Sequence, residues 1–207
     1  MSAQFLMVTQ VAVRPGALER TAGAWRRLNA AAGADAQLYS SVDSGNLMEL
    51  RSVPSLAELP ALREQWAQLW SEVAPDLAGD FHRQLLEFVE APKPTDRSLP
   101  DTPYVQLRRV EVKPPVHEQY LDWRRRTIFQ VANAAEESQV FLCYHSLVST
   151  DPGVLFVVGF SVAPKEHDAI YRTPAYEDIL VQARENYIVP EGGDAGLFLE
   201  SYARLGD

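Results

Sequence analysis

Cysteine is almost absent from this sequence, since Cys143 is the only one. A single cysteine excludes an intrachain disulfide framework and any zinc or iron–sulfur site held by several cysteines. A reducing compartment is the natural setting for such a chain, so we predict a cytoplasmic protein. No apolar stretch approaches the length that spans a bilayer, and the apolar residues 5–8 lack the flanks of a signal peptide. We therefore expect no membrane partner.

Basic residues are also scarce, with 19 Lys and Arg against 28 Asp and Glu and a formal charge of −9. Nucleic-acid affinity depends on clustered positive charge, so no nucleic-acid partner is expected. The glycine-rich motifs of nucleotide-binding proteins and the Gly-x-Ser-x-Gly motif of serine hydrolases are missing. His82, His117 and His167 show neither helical spacing nor the carboxylate pattern of a zinc site. We therefore predict no metal centre.

Two stretches rich in β-branched and aromatic residues, 139–148 and 154–162, flank a turn at residues 149–153. The turn contains Pro152 and Gly153, which favour a tight reversal, so the whole stretch predicts a β-hairpin. Residues 38–53 repeat this pattern around Asp43 and Gly45, and Asp151 follows Asp43 by 108 positions. The two hairpins therefore indicate an internal duplication.

Other short phrases recur in the same order. VEVKP at 110–114 matches VAVRP at 11–15, WRR at 123–125 matches WRR at 25–27, and FLE at 198–200 matches LLE at 85–87. The apolar periodicity in each copy predicts strand, helix, hairpin, helix and strand, the ferredoxin-like order. Residues 91–100 are polar and rich in proline, which predicts an exposed linker. We therefore predict an α+β protein with tandem ferredoxin-like βαββαβ units at residues 1–92 and 101–207, joined by a linker at 93–100.

A four-stranded antiparallel sheet with both helices on one face leaves its other face bare, and a second copy can cover that face. We therefore expect the two sheets to pack together as an α/β barrel within one chain. This order, with phrases such as VEVKP at 110–114 and YRTPA at 171–175, resembles the dimeric α/β-barrel superfamily and its antibiotic-biosynthesis monooxygenase-like members. Because the usual dimer contact would be internal, we expect a monomer or a homodimer.

The resemblance implies a ligand pocket between a sheet and its helices and a small aromatic or polyketide-like substrate. Several members of the superfamily oxidise aromatic polyketides without metal or flavin, and others are cyclases, isomerases or haem-degrading enzymes. We therefore expect a small enzyme of specialised metabolism that needs no cofactor and catalyses oxygenation, cyclisation or isomerisation. Two alternatives stay open: a haem-binding enzyme of the same fold and a non-catalytic ligand-binding protein.

His145 and Tyr144 are the candidate catalytic residues, because they lie in the most apolar predicted strand of the chain. A histidine there can act as a general base or as a haem ligand, and it can equally be a hydrogen-bonded core residue. Strand alternation places Cys143 and His145 on one face and Tyr144 on the other. The three residues should therefore not all line one pocket.

The second half is rich in tyrosine and predicts the better pocket for a planar aromatic ligand. The expected substrate contacts are Trp123, Tyr171, Tyr176, Tyr202 and Arg108. Trp123 matches Trp25 in the repeat, so shared core packing is the alternative for both. Arg108 alternates with Gln106 on a face that we expect between the two sheets, where the pair would form a hydrogen-bond network or bind an anion. Glu49 is the candidate counter-charge of Arg108.

Overall fold

The computed structural model describes residues 2–206 and contains two successive sets of strands and helices. The first half comprises β1 (Phe5–Ala12), α1 (Leu18–Ala31), β2 (Ala36–Ser41), β3 (Asn46–Val53), α2 (Leu59–Val73) and β4 (His82–Lys93). The second half comprises β5 (Tyr104–Val110), α3 (His117–Arg126), α4 (Ile128–Ala134), β6 (Ser138–Val148), β7 (Val154–Phe160), α5 (Pro164–Ala169), α6 (Pro174–Asn186) and β8 (Leu197–Arg204). In the part of the chain so described, no helix is long and apolar enough to cross a membrane.

The eight strands close into one barrel in the order β1-β3-β2-β8-β5-β7-β6-β4, and every neighbouring pair is antiparallel. Each half supplies four consecutive strands, and the halves meet where β2 pairs with β8 and where β4 pairs with β6. The predicted hairpin forms, with Tyr144 opposite Leu155 and His145 opposite Val154. The predicted α+β fold, with both units contributing to one barrel, is confirmed.

The second half is longer because it carries an additional helix, α4, between its first helix and its hairpin. The backbone breaks from helical geometry at Thr127, with φ −124° and ψ −82°, and the Thr127 hydroxyl donates to the carbonyl of Trp123 at 2.8 Å. A hydroxyl bonded to the carbonyl four residues earlier commonly accompanies a bend in a helix. The seven residues of α4 account for most of the ten-residue rise in offset between matching residues, from 98 at the WRR phrase to 108 at the hairpin.

Alternate apolar residues of both halves fill the barrel interior. Leu6 of β1, Leu107 of β5 and Leu155 of β7 belong to this single inner cluster. Tyr144 and Tyr202 also belong to it, and each is only 1% exposed. The two sheets therefore bury their bare faces against each other, as the duplication predicts.

A polar network closes one end of this core. Arg109 of β5 donates to Glu200 at 2.6 Å and to the side-chain oxygen of Gln10 at 2.7 Å, and lies 3.5 Å from that of Gln84. Gln10 and Arg109 occupy matching positions in the repeat, on strands that are opposite in the barrel order. Their contact therefore joins the two halves across this end of the barrel.

Two predictions about burial are wrong. Residues 91–100 are not an exposed linker throughout, because β4 continues to Lys93 and Leu99 is buried in the barrel core with 2% exposure. Gln106 and Arg108 do not lie between the sheets. The pleat of β5 turns them outward, toward the helices, while the odd-numbered residues of the strand face the barrel interior.

Candidate functional site

A cavity lies on the outer face of the second half, beneath α3, α4 and α6. The enclosed space has a volume of about 30 Å³. It is part of a cleft whose volume, with the portion open to solvent included, is about 460 Å³. Its wall includes the rings of Tyr120, Trp123, Phe141 and Phe156 and the polar groups of Arg108 and Tyr176. Largely apolar walls with a few polar groups are typical of small-molecule sites.

Arg108 stands in the wall of this cavity with 3% of its surface exposed. Its Nε donates to the side-chain oxygen of Gln106 at 2.7 Å, and its Nη1 lies 3.5 Å from the Tyr176 hydroxyl. The guanidinium carbon lies 3.5 Å from the centre of the Tyr171 ring. Gln106 in turn donates to Asp168 at 2.9 Å, so an amide stands between Arg108 and that carboxylate.

The other buried arginines have a carboxylate of their own. Arg51 bonds Glu49 at 3.1 Å, Arg109 bonds Glu200 at 2.6 Å, and Arg124 bonds Glu90 at 3.0 Å through its Nε. Among residues 2–206, no Asp or Glu forms an ion pair with Arg108. A guanidinium taken out of water without a counter-charge destabilises the fold. Arg108 is therefore a buried cation that a bound anion could neutralise.

Strand pairing explains why Arg108 has no carboxylate partner. The matching position in the first half is Thr9, which lies opposite Glu49 of β3. In the second half, Arg108 lies opposite Phe156 of β7. An aromatic ring thus occupies the cross-strand position at which the first half has a carboxylate, and residues directly opposite each other in a sheet are the ones that touch.

A second group of buried polar residues lies next to Arg108. The Ser138 hydroxyl is 3.1 Å from Nε2 of His167 and 3.3 Å from the Tyr171 hydroxyl. The His167 ring stacks on Phe160 with 3.8 Å between ring centres, and its Nδ1 has no hydrogen-bond partner in the described chain. Burial, and to a lesser extent the charge of Arg108, lowers the pKa of His167 to about 3. This imidazole is therefore neutral near neutral pH.

The sequence patterns do not point to His167, Ser138 or Tyr120 as site residues. Residues 138, 167 and 171 come from β6, from α5 and from the turn after it, and no spacing rule brings these elements together. The only sequence signal for Tyr120 is the abundance of tyrosine in the second half. Ser138, His167 and Tyr171 come together only in the folded protein, where the helices pack on the sheet.

Trp123 joins α3 to α6 beside the cavity. Its Nε1 donates to Gln182 at 3.2 Å, and its ring stacks on Tyr187 with 4.9 Å between ring centres. Only Tyr176 and Ala183 are buried among the 13 residues of α6, against three buried residues among the 10 of α3. Because α6 buries the smaller share of its residues, it is the wall that a ligand could displace most easily.

No protein-family model matches the sequence, and no curated protein matches it. Solved structures match nearly the whole chain. A proposed monooxygenase from Fusobacterium nucleatum subsp. nucleatum has a TM-score of 0.71 and 11% identity over 99% of this chain and 94% of its own. An anthrone oxidase-like protein has a TM-score of 0.73 and 11% identity over 98% and 91%. The chain has the dimeric α/β-barrel fold.

A haem-binding protein from Thermus thermophilus shares this fold, with a TM-score of 0.63 and 15% identity over 100% of this chain and 92% of its own. At such identities the likeness is one of fold. In the dimeric α/β-barrel fold two chains usually supply the two sheets, whereas here one chain supplies both. The two helix-covered faces of this barrel therefore need not be equivalent.

The predicted site residues divide between the two faces of the second-half sheet. Arg108, Trp123, Tyr171 and Tyr176 come together on the outer face. Tyr144 and Tyr202 do not join them, because the pleat directs both side chains into the barrel. There the Tyr144 hydroxyl bonds the carbonyl of Ala3 at 3.4 Å, and the Tyr202 hydroxyl accepts a hydrogen bond from Gln10 at 2.5 Å.

His145 lies on the outer face of β6, opposite in direction to Tyr144, as alternation predicts. Its ring is exposed and stacks on His117 with 4.9 Å between ring centres. Burial of part of the ring, followed by the charges of His117 and Arg124, lowers the pKa of His145. His145 does not line the cavity. The geometry therefore does not place the predicted catalytic pair, His145 and Tyr144, at the candidate site.

The corresponding face of the first half is filled by its own polar groups. The Glu49 carboxylate accepts hydrogen bonds from Trp25 at 2.7 Å, from Asn29 at 2.6 Å and from Arg51 at 3.1 Å. The space enclosed between Trp25, Asn29 and Arg51 is about 10 Å³, and a more open cleft of about 150 Å³ lies beside it, past Arg51. Glu49 is thus the counter-charge of Arg51, and the prediction that it neutralises Arg108 is wrong.

The cavity offers no histidine ligand to a haem. A haem iron needs an axial ligand such as a histidine that faces the cofactor. No histidine lines the cavity. Nε2 of His167 is engaged by Ser138, and Nε2 of His145 lies against the backbone of Gly153, 3.3 Å from where a Cβ would stand. Among residues 2–206, no group of three or more His, Cys, Asp and Glu could hold a metal ion.

Proposed function

We propose that the second half binds a planar aromatic molecule in its anionic form and that the protein is an enzyme of specialised metabolism. The observation that carries this proposal is Arg108, a buried guanidinium without a carboxylate in the wall of an aromatic cavity. A phenol, an enol or an aromatic carboxylic acid supplies both the flat apolar surface and the negative oxygen that this wall matches.

The chemistry follows from ionisation of the substrate. An opposite charge within about 4–6 Å favours the charged form of an acid and lowers its pKa by about 1–3 units. A phenol held against Arg108 would lose its proton more readily than in water. The proton passes to water at the open mouth of the cleft, and the resulting phenolate is electron-rich at its ring carbons. Such a carbon can add dioxygen and a proton to form a hydroperoxide, which loses water to leave a carbonyl, or it can accept a proton during cyclisation or isomerisation. Neither route requires a cofactor.

Tyr176 would orient the substrate beside Arg108. Burial raises the pKa of the Tyr176 hydroxyl, although the charge of Arg108 opposes the shift. The hydroxyl is therefore protonated near neutral pH and can donate to the substrate oxygen. An aromatic substrate needs more room than the enclosed 30 Å³. Its entry therefore requires α6 to move away from the sheet, so that the enclosed space and the open part of the cleft become one pocket. Fold relatives described as a proposed monooxygenase and as anthrone oxidase-like support the substrate class.

Binding is tested with 4-nitrophenol, because the absorbance of its phenolate reports the ionisation of the bound molecule. We expect the apparent pKa of 4-nitrophenol to fall when the wild-type protein binds it. In Arg108→Met we expect the affinity for the phenolate to fall about fiftyfold, since a hydrogen bond to a charged group contributes about 1.5–3 kcal/mol. Arg172→Met removes an exposed arginine of the same half and should leave binding unchanged.

Stability separates loss of binding from loss of folding. Replacing an uncompensated buried charge by an apolar side chain of similar size commonly leaves stability unchanged or raises it. Arg108→Met should therefore unfold at the same temperature as the wild type or at a higher one. A variant that binds 4-nitrophenolate as tightly as the wild type would exclude Arg108 as the anion contact and contradict the proposed site.

Turnover is tested with anthrone-like phenols under air and under argon. Product formed only under air indicates oxygenation, and product formed under both indicates cyclisation or isomerisation. Binding without turnover of any phenol would contradict the enzyme assignment and favour a ligand-binding protein. In either productive case, we expect the rate to fall in Arg108→Met and to be unchanged in Arg172→Met.

A further inference from the structure

Tyr120 of α3 is unlike the other buried tyrosines of the chain. The buried tyrosines are Tyr39, Tyr120, Tyr144, Tyr171, Tyr176 and Tyr202. Five of them have a hydrogen-bond partner for the hydroxyl, whereas that of Tyr120 has none within residues 2–206. Buried hydroxyl groups are normally bonded, so an unbonded one points to a partner that comes from outside the chain.

Arg124 is near Tyr120 and influences its pKa, but it forms no well-oriented hydrogen bond with the hydroxyl. Arg124 lies near the ring, with its guanidinium carbon 5.6 Å from the ring centre, but it makes its hydrogen bonds to Glu90. Burial raises the pKa of Tyr120, and the charge of Arg124, together with the polar contact of its guanidinium with the hydroxyl, only partly opposes this shift. The side chain is therefore a neutral phenol that can both donate and accept a hydrogen bond.

Tyr120 lines the same cavity as Arg108 and reaches it from a different element, α3 rather than β5. The enclosed space of about 30 Å³ can hold a water molecule, which would satisfy the hydroxyl in the absence of ligand. A ligand that displaces such a water keeps its affinity only if it replaces the lost hydrogen bond. The ligand should therefore carry a polar group at this point.

We infer that Tyr120 is a specificity-determining contact and that the preferred ligand carries two oxygens on one planar ring system. One oxygen is anionic and faces Arg108, and the other is a carbonyl or hydroxyl oxygen that bonds Tyr120. This inference rests on the proposed function, because it concerns the same cavity, and it narrows the substrate class to doubly oxygenated aromatics. Packing alone does not account for the hydroxyl, since phenylalanine would make the same ring contacts with Trp123 and Tyr187.

The test compares 2-naphthol with the 1,5-, 1,6-, 2,6- and 2,7-dihydroxynaphthalenes by titration calorimetry. We expect the wild type to bind at least one dihydroxy isomer about tenfold more tightly than 2-naphthol, because only a correctly placed second oxygen reaches Tyr120. Tyr120→Phe should bring the affinity for that isomer to the level of 2-naphthol and should change the affinity for 2-naphthol less than twofold. Tyr187→Phe removes a hydroxyl from the same aromatic cluster and should behave as the wild type.

The outcomes separate this inference from the proposed function. If 2-naphthol binds in a manner that depends on Arg108, but Tyr120→Phe weakens all ligands equally, the proposed site stands and the specificity role of Tyr120 is wrong. The role is also wrong if no isomer exceeds 2-naphthol. If neither 2-naphthol nor any isomer binds the wild type, both proposals fail. Thermal unfolding should show Tyr120→Phe to be at least as stable as the wild type, because the variant removes an unbonded buried hydroxyl.

Discussion

The neutral state of His167 should make this protein sensitive to mild acid. The ring has no exposed surface, stacks on Phe160 and bonds the Ser138 hydroxyl. Its pKa in the folded protein is about 3, against an ordinary value of 6.5. Between these two values the unfolded chain binds a proton that the folded protein does not. Acid therefore favours the unfolded state, and the stability involved is intact above pH 6.5 and lost as the pH falls toward 3.

The size of this effect follows from the two pKa values. Each unit of pKa difference corresponds to about 1.36 kcal/mol. At pH 5, which is about 1.5 units below the unfolded-state pKa, protonation of the unfolded chain lowers the free energy of unfolding by about 2 kcal/mol relative to pH 7. Small domains are stable by only about 5–15 kcal/mol, so the change is readily measured.

Urea unfolding followed by tryptophan fluorescence at pH 7 and pH 5 tests this reasoning. The wild type should lose about 2 kcal/mol more than His167→Gln over this interval, because glutamine does not titrate. His82→Gln, which replaces an exposed histidine of β4, should keep the wild-type dependence on pH. An equal loss in the wild type and in His167→Gln would refute the assignment, since it would mean that His167 accepts a proton in the folded protein without penalty.

Three further predictions concern the barrel and the haem alternative. Burial alone would raise the pKa of Glu90, but hydrogen bonds from two arginines of α3 outweigh burial and lower it. The stability that the ionised Glu90 gives to the fold is therefore lost as the pH falls below about 4.5. Glu90→Gln leaves Arg124 buried without a counter-charge and should cost about 3 kcal/mol in urea unfolding at pH 7, and a loss below about 1 kcal/mol would contradict this. Arg109→Met should lower the free energy of unfolding by about 2 kcal/mol. This loss is smaller than for a fully buried ion pair, because the Glu200 carboxylate is 41% exposed and can be rehydrated. Unchanged stability would show that the network at the barrel end is dispensable. Haemin should give no sharp Soret shift with either the wild type or His145→Ala, and a shift that this variant abolishes would reinstate the haem alternative.

The duplicated barrel could be predicted because its signals are local. The β6–β7 hairpin is specified by two apolar stretches on either side of Pro152 and Gly153, and its register follows from the turn between them. The matching hairpin and the matching WRR phrases identify the second copy. A bare sheet face then requires a cover, and the duplication provides one. Each step depends on residues that are neighbours in sequence.

The site could be predicted only in part because it depends on contacts between distant elements. Alternation correctly places His145 and Tyr144 on opposite faces of β6, but it does not tell which face lies under the helices. The lack of a carboxylate partner for Arg108 depends on Phe156, which lies opposite it on the neighbouring strand β7. The low pKa of His167 depends on how α5 is placed over the sheet. None of these contacts has a sequence spacing of its own.

Duplication within one chain removes the constraint that symmetry places on a homodimer, where every residue must serve both copies. At the end of the barrel, Arg109 donates to Gln10 at the matching position, whereas two arginines at that point would repel each other. On the outer faces, Glu49 neutralises Arg51 in the first half, and Arg108 is left without a carboxylate in the second. An unpaired buried cation destabilises its own half, but the barrel core is continuous and the buried Arg51 of the first half is paired with Glu49. The shared barrel is therefore stable enough to keep an unpaired binding group, Arg108, in the second half, although the first half has no such group.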